Sequence, residues 1–300
     1  MKDKKKLLYI VIFVVVIGLL IYEIKDLIDI YKAQNESTEI VLKSENNKNE
    51  QESIYASLAR KYKNTDNSEK MKNPYIPEGF KYIEGEWDNG YVIEDEEKNQ
   101  FVWVPCSGNE NNINFIKKYY LLKEEGKEHV YQMYDDSAQK FLESIYENGG
   151  YYIGRYETGI EGKKAVVKKD IEIYNNLEYT EAEKIAADMY KKNKDINSTI
   201  MNMYAYDIAA NWCIEKNNLD ELKIGSDIRE KEDEKFITGK VKYNNIYDLI
   251  DCVWEMCSER YYDFRVSRGI AVVEKPEITR QPLREEFVSD NLGFRIILYK

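Results

Sequence analysis

Three short segments near the C-terminus carry most of the information about the fold. They read Asn245-Ile246-Tyr247-Asp248-Leu249 with Val253-Trp254-Glu255-Met256, then Arg265-Val266-Ser267-Arg268-Gly269, and finally Gly293-Phe294-Arg295. Trp254 has the large apolar surface that is typical of a core residue. Arg268 and Arg295 have planar guanidinium groups that suit loop carbonyls and carboxylates, and we expect them to hold such groups. Gly269 and Gly293 indicate tight backbone positions.

Upstream of these segments, short strands are scattered around a few helices. Predicted strands cover residues 80–83, 91–93, 101–104, 151–156, 268–273 and 293–299, and predicted helices cover 137–146, about 180–192 and about 203–215. Asp88-Asn89-Gly90 predicts a turn between the first two strands, and Thr180-Glu181-Ala182-Glu183 predicts a capping box. We expect Ile208, Trp212 and Cys213 to form the buried face of the last helix. The arrangement favours an α+β fold over an alternating βαβ order.

In this order the three segments resemble the formylglycine-generating (sulfatase-modifying) enzyme superfamily. Its members carry N-I-Y-D-L-A-G-N-V-W-E-W, then R-x-x-R-G-G-S-W, then a final G-F-R. The upstream stretches 76–80, 99–105 and 152–157 look like a subgroup common on Gram-positive cell surfaces and in their prophages. The resemblance covers about residues 74–300. It implies an irregular α+β architecture, akin to that of C-type lectin domains.

The chain departs from the family pattern where catalysis is concerned. Active members resemble one another in a cysteine pair that follows the R-x-x-R-G motif and binds copper, but here no cysteine follows Cys257. The matching stretch offers Glu274 and Thr279, whose hard oxygen atoms do not replace soft thiolates. Ile250-Asp251-Cys252 also replaces the Ala-Gly-Asn of the central block. We therefore expect neither a copper site nor catalytic residues.

A structural calcium ion is the cofactor that the resemblance implies. It would be bound by the side chains of Asp248 and Glu255 and by the backbone carbonyls of Asp251 and Val253, which are hard oxygen ligands. The alternative, which the residues alone leave open, is that the two carboxylates are solvated or paired with arginine.

The N-terminus predicts a membrane anchor. A lysine cluster precedes an uncharged apolar run from Leu7 to Tyr22, which is slightly short of the roughly 20 residues of a typical span but is extended by apolar residues beyond it. Because lysines stay on the cytoplasmic side, we expect a cytoplasmic tail (1–6), a transmembrane anchor (7–24), a polar spacer (25–72) and an extracellular domain (73–300). One alternative is a cleaved signal peptide, but the residues after the apolar run include no small residues that would form a cleavage site. The other alternative is a buried core helix.

Composition excludes several classes of protein. The net charge of −11 argues against nucleic-acid binding, which needs a basic face. The single histidine, His129, excludes sites that need several imidazoles, including those of the related ergothioneine-synthesising iron enzymes. The four cysteines form no C-x-x-C motif. Free buried thiols are expected for Cys106 and Cys252, although a local disulfide between Cys252 and Cys257 stays open.

Three functions follow as hypotheses. The first is a non-catalytic, lectin-like binding module on a stalk, with a glycan or a protein as its extracellular ligand. The second is an oxidoreductase of the formylglycine-generating class that uses other ligands. The third is a pilin-like appendage subunit, against which the N-terminus lacks the Gly cleavage site and nearby Glu of a prepilin.

Overall fold

The computed structural model describes residue 61 and residues 66–106, 136–219, 236–250, 253–261, 264–272 and 276–300. All of them belong to one unit, Ser53–Lys300. The predicted anchor, most of the predicted spacer, His129, Asp251 and Cys252 lie outside the described residues. Within the described ranges, no helix combines the length and apolarity needed to cross a bilayer.

Strands and helices are interspersed along the described chain, as expected for an α+β fold. The helices are α1 (Ser68–Lys72), α2 (Asp136–Asn148), α3 (Tyr179–Met189) and α4 (Met203–Asn217). The strands are β1 (Phe80–Glu84), β2 (Val92–Asp95), β3 (Gln100–Pro105), β4 (Gly150–Gly154), β5 (Gly159–Glu161), β6 (Lys164–Val166), β7 (Asn197–Ile200), β8 (Lys242–Tyr243), β9 (Ile246–Tyr247), β10 (Trp254–Tyr261), β11 (Phe264–Val272), β12 (Pro276–Arg284), β13 (Leu292–Phe294) and β14 (Ile296–Tyr299). The predicted α+β class is therefore confirmed.

Two sheets make up most of the structure. The larger sheet has the order β1-β2-β3-β4-β14-β7 and is antiparallel throughout. The smaller has the order β12-β11-β10-β13, in which only β13 runs parallel to its neighbour. The predicted strand 293–299 is thus two strands. Arg295 alone separates β13 in one sheet from β14 in the other, so the chain changes sheets at this residue.

The larger sheet is covered on both faces. Alternate residues of a strand point to opposite faces, and in β3 Val102 and Val104 join one core cluster whereas Phe101 and Trp103 join the other. Helices α2 and α4 contribute to the first cluster and α3 to the second. This double burial explains why the central strands read as continuous apolar runs.

Two predictions about the helices are wrong in detail. Helix α3 begins at Tyr179, and its N-cap, Glu178, makes no side-chain capping hydrogen bond. The predicted capping box does not form because Thr180 lies inside the helix, one residue after its start, and Glu183 binds the Arg265 guanidinium. In α4, Cys213 is buried as expected, but Ile208 and Trp212 are only half-buried.

The N-terminal segment packs firmly on the domain from Asn67 onward. The buried Asn67 side chain donates hydrogen bonds to the carbonyls of Cys106 (3.1 Å) and Tyr146 (2.9 Å). Trp103 Nε1 donates to the Met71 carbonyl at 3.0 Å. The folded domain therefore includes residues 67–72, which lie inside the range predicted as spacer.

Candidate functional site

The arginine of the G-F-R segment lies where the two sheets meet. Arg295 is fully buried, and its Nε and Nη2 donate to Glu255 Oε1 at 2.9 and 2.7 Å. Its Nη1 donates to the Gly154 carbonyl and its Nη2 to the Tyr247 carbonyl, both at 2.9 Å. One guanidinium therefore joins β10, the end of β4 and β9. Arg295 thus holds a carboxylate and backbone carbonyls, as expected, but the two carbonyls belong to strand residues and not to loops.

A second carboxyl group, Glu157, is buried in the same cluster. No side chain among the described residues donates a hydrogen bond to either of its oxygens. Burial and the nearby Glu255 raise the pKa of Glu157 well above its ordinary value, although Arg295 and the Val253 backbone amide act in the opposite direction. Burial also raises the pKa of Glu255, but Arg295 opposes this effect through two hydrogen bonds. Arg295 therefore favours the ionised form of Glu255 through direct hydrogen bonds, whereas burial disfavours the ionised form of Glu157.

Asp248 binds a turn of the backbone. Its carboxylate accepts hydrogen bonds from the consecutive amides of Gly239 (2.5 Å), Lys240 (3.0 Å) and Val241 (2.8 Å). Its own amide donates to the Val241 carbonyl at 2.7 Å, and its φ of 60° places it in the left-handed region that asparagine and aspartate tolerate. The side chain thereby fixes the segment that leads into β8.

The four predicted calcium ligands are only partly brought together. Asp248 uses both oxygens for backbone amides, and Glu255 forms the arginine pair that the sequence left as the alternative. Asp251 lies outside the described residues. Among the residues that are described, no group of three or more His, Cys, Asp or Glu side chains is arranged to hold a metal ion. Because one ligand of the set is not described, the calcium site stays a prediction.

The R-x-x-R-G segment forms two further ion pairs. Arg268, buried on β11, pairs through Nη2 with Asp207 Oδ1 of α4, and its guanidinium lies 5.0 Å from the centre of the Tyr206 ring. Arg265 binds both oxygens of Glu183 in α3, at 2.7 and 2.9 Å. The two arginines thus attach α4 and α3 to the smaller sheet, which confirms the structural role expected for Arg268.

The glycine and tryptophan of these segments pack against each other. A Cβ atom on Gly269 would lie 3.1 Å from Trp254 Cδ2, so the absence of a side chain there makes room for the indole. Trp254 is half-buried and packs against the second core cluster, as expected of a core aromatic. A Cβ atom on Gly293 would lie 3.0 Å from Ile173 Cγ2, which confirms the predicted tight position.

The described thiols are free and buried. Cys106, Cys213 and Cys257 form no disulfide, so the local bridge between Cys252 and Cys257 is not present. Burial raises the pKa of each of the three thiols, most strongly for Cys257 on β10. A raised pKa disfavours the thiolate, which is the form that attacks electrophiles and binds soft metals. These three side chains are therefore unsuited to thiolate chemistry in the folded state.

Sequence reasoning did not assign roles to Glu157 or Asp207. Glu157 follows an apolar strand within the stretch 152–157. An acidic residue that follows a buried strand is the one feature of the sequence that could have indicated a buried role for it. The groups that shift its pKa, however, include Glu255 on β10 and Arg295 between β13 and β14, and no pattern along the chain indicates them.

Chemically, the arrangement joins sheets and helices through buried charge. Arg265, Arg268 and Arg295 each bind a carboxylate from a different element of the domain. Comparisons with protein-family models, with curated proteins and with solved structures find no match to this chain.

Proposed function

We propose that this protein is a membrane-anchored, extracytoplasmic binding module, lectin-like and non-catalytic, on a scaffold of the formylglycine-generating enzyme type. The observation that carries the proposal is the burial of all three described thiols, with raised pKa values. An oxidase of the family that the chain resembles needs two thiolates converging on copper. Cys106, Cys213 and Cys257 do not supply them.

The use of the charged residues supports the same proposal. In an enzyme, acids and bases with shifted pKa values face a substrate cleft. Here Glu157 and Glu255 are fully buried, and Arg295 links Glu255 to the structural carbonyls of Gly154 and Tyr247. The motif residues therefore stabilise a scaffold, and ligand binding is left to the surface.

The membrane arrangement rests on the sequence. The N-terminal lysines remain in the cytoplasm, Leu7 to Tyr22 crosses the bilayer, and the domain lies outside. The polar residues that follow the anchor hold the domain away from the lipid headgroups.

We also propose that a calcium ion stabilises the segment from Asp248 to Glu255, with the backbone carbonyls of Asp251 and Val253 as further ligands. Binding to the folded state alone raises the melting temperature. The full chain should therefore melt at a lower temperature after chelation with EGTA and recover on addition of calcium. An unchanged melting temperature would remove calcium from the proposal without affecting the binding module.

The test of function is a ligand screen with the full-length protein in detergent micelles. Immobilised oligosaccharides and purified cell-surface proteins are offered in parallel, and saturable binding to one class is the expected result. The variant Arg295→Met, which disrupts the scaffold, serves as the control for adhesion of unfolded protein. Absence of saturable binding to both classes would contradict the proposed function.

A further inference from the structure

The chain contains two Asn-Gly dipeptides, and both lie in the described part of the domain. Asn89-Gly90 is on the turn between β1 and β2, and Asn148-Gly149 is at the C-terminal end of α2. Asparagine is chemically labile. It is most labile before glycine, because glycine has no Cβ atom to hinder attack of its nitrogen on the asparagine side chain. Since the two dipeptides have the same local chemistry, the fold decides which of them reacts.

The fold restrains Asn148-Gly149. The Asn148 residue is half-buried, and its Nδ2 donates to the Ser144 carbonyl at 2.9 Å. The Gly149 amide donates to the Ile145 carbonyl at 2.9 Å, which continues the hydrogen-bonding pattern of the helix. The nitrogen that would have to attack and the amide that would have to leave are therefore both bound, so that reaction requires the end of the helix to open first.

Asn89-Gly90 has neither of these restraints. Asn89 is exposed, and its side chain forms no hydrogen bond with any residue that the structure describes. Gly90 is buried, but its amide has no acceptor within the same described ranges. A buried amide without an acceptor costs free energy. No hydrogen bond therefore has to break before the Gly90 nitrogen attacks the Asn89 side chain.

We propose that Asn89 is a site of spontaneous deamidation, whereas Asn148 is protected. The Gly90 nitrogen forms a bond to Asn89 Cγ and loses its proton to hydroxide. The bond from Cγ to Nδ2 breaks, and the nitrogen leaves as ammonia after taking a proton from water. Water then opens the resulting succinimide ring at either carbonyl carbon and yields aspartate or isoaspartate, so that water is consumed, ammonia is released and nothing is oxidised or reduced.

The products alter a turn that fits closely against its neighbours. Either product adds a negative charge beside Asp88, which pairs with Lys216 at 2.8 Å. Isoaspartate also lengthens the main chain before Gly90, where an added Cβ would lie 2.2 Å from the Asn244 carbonyl oxygen. The Gly90 carbonyl accepts a hydrogen bond from Asn245 Nδ2 at 2.7 Å. The modification therefore acts on the contact between the β1–β2 turn and the β8–β9 turn.

The test incubates the full-length protein in detergent micelles at mildly alkaline pH and follows both asparagines by proteolysis and mass spectrometry. Replacement of the amide by a carboxyl group should accumulate at Asn89 at least about tenfold faster than at Asn148, the factor expected when two hydrogen bonds must first break. Asn89→Gln should remove the change from that peptide, because the longer side chain closes a ring more slowly. The variant should fold normally, because the Asn89 side chain is exposed.

The matched control is the same protein unfolded in guanidinium chloride, in which the two dipeptides should react at similar rates. Equal rates in the native protein, or an unmodified Asn89, would overturn the proposal. A preference for Asn89 that persists after unfolding would overturn it as well, because the selectivity would then come from the neighbouring sequence and not from the fold.

Discussion

Arg295 and Glu255 form an ion pair, 2.7 Å long from Nη2 to Oε1, in which both side chains are closed to solvent. The pair connects the residue between β13 and β14 to the second residue of β10, and the same guanidinium also reaches the Gly154 carbonyl of β4. The contact therefore fixes the angle between the two sheets at the point where the chain passes from one to the other.

Breaking this pair should be costly. In Arg295→Met, Glu255 is left buried without its partner, and we expect a loss of about 3–5 kcal/mol in the free energy of unfolding, measured with urea. Removing one partner of the exposed pair Lys191–Asp188 by Lys191→Met should change the free energy of unfolding little. If the two variants lose similar amounts of unfolding free energy, burial of the Arg295–Glu255 pair does not make its loss more costly than that of an exposed pair.

The raised pKa of Glu157 predicts a specific dependence of stability on pH. Because its folded pKa is raised well above the ordinary 4.5, the native state binds a proton that the unfolded state releases. This contribution is fully present below about 4.5 and is lost as pH rises through the folded pKa, with a slope of at most about 1.4 kcal/mol per pH unit.

The variant Glu157→Gln removes this proton and keeps the shape of the neutral acid. Its free energy of unfolding, relative to that of the unchanged protein, should therefore rise between pH 5 and pH 8. Glu86→Gln, at an exposed position on the β1–β2 turn, should follow the unchanged protein in parallel. A parallel curve for Glu157→Gln as well would mean that Glu157 is ionised in the folded state.

The N-terminal attachment predicts that Asn67 is part of the domain. In Asn67→Ala, the buried carbonyls of Cys106 and Tyr146 lose their donor, and we expect a destabilisation of about 1–3 kcal/mol in urea. The control, Asn73→Ala, removes an exposed hydrogen bond to the Glu69 carbonyl and should change little. If the two substitutions are equivalent, residues before Asn73 behave as spacer.

The topology can be measured with single added cysteines, because the described native thiols are buried. In intact cells, a membrane-impermeant maleimide should label Glu86→Cys. The same reagent should label Lys4→Cys only after lysis, because the lysine cluster is expected to remain in the cytoplasm. The reverse labelling pattern would invert the proposed orientation.

The α+β class and the structural role of Arg295 could be predicted because local patterns carry them. Apolar runs such as Phe101–Val104 predict strands wherever they are placed, and a guanidinium between two apolar strands needs a carboxylate partner. The capping box was predicted wrongly because the helix begins at Tyr179, before Thr180, and because Glu183 binds Arg265, which is 82 residues away. The burial of Ile208 and Trp212 was predicted wrongly because the prediction assumed one buried stripe. Helix α4 is packed on several sides, and its most buried residues do not follow a single stripe.

The contacts of Asp248 and Glu157 could not be predicted for a related reason. The three amides that bind Asp248 come from a turn without apolar periodicity, and a backbone donor leaves no mark on residue identity. Glu157 depends on burial between two sheets whose pairing is long-range. The sequence identified the residue types of the cluster but not which carboxylate accepts from arginine, which accepts from the backbone and which has a raised pKa without an arginine hydrogen bond.

Oxidation of a peptide cysteine separates a binding module from an oxidase most directly. The full-length protein is loaded with copper(I) under reducing conditions and incubated with oxygen and a peptide that carries a sulfatase motif. The mass of the peptide is then measured by mass spectrometry. We expect its mass to stay unchanged, because the described thiols are buried and the sequence lacks the cysteine pair of the family that it resembles. Loss of mass at the peptide cysteine, abolished by Cys252→Ser or Cys257→Ser, would contradict the binding module and identify an enzyme.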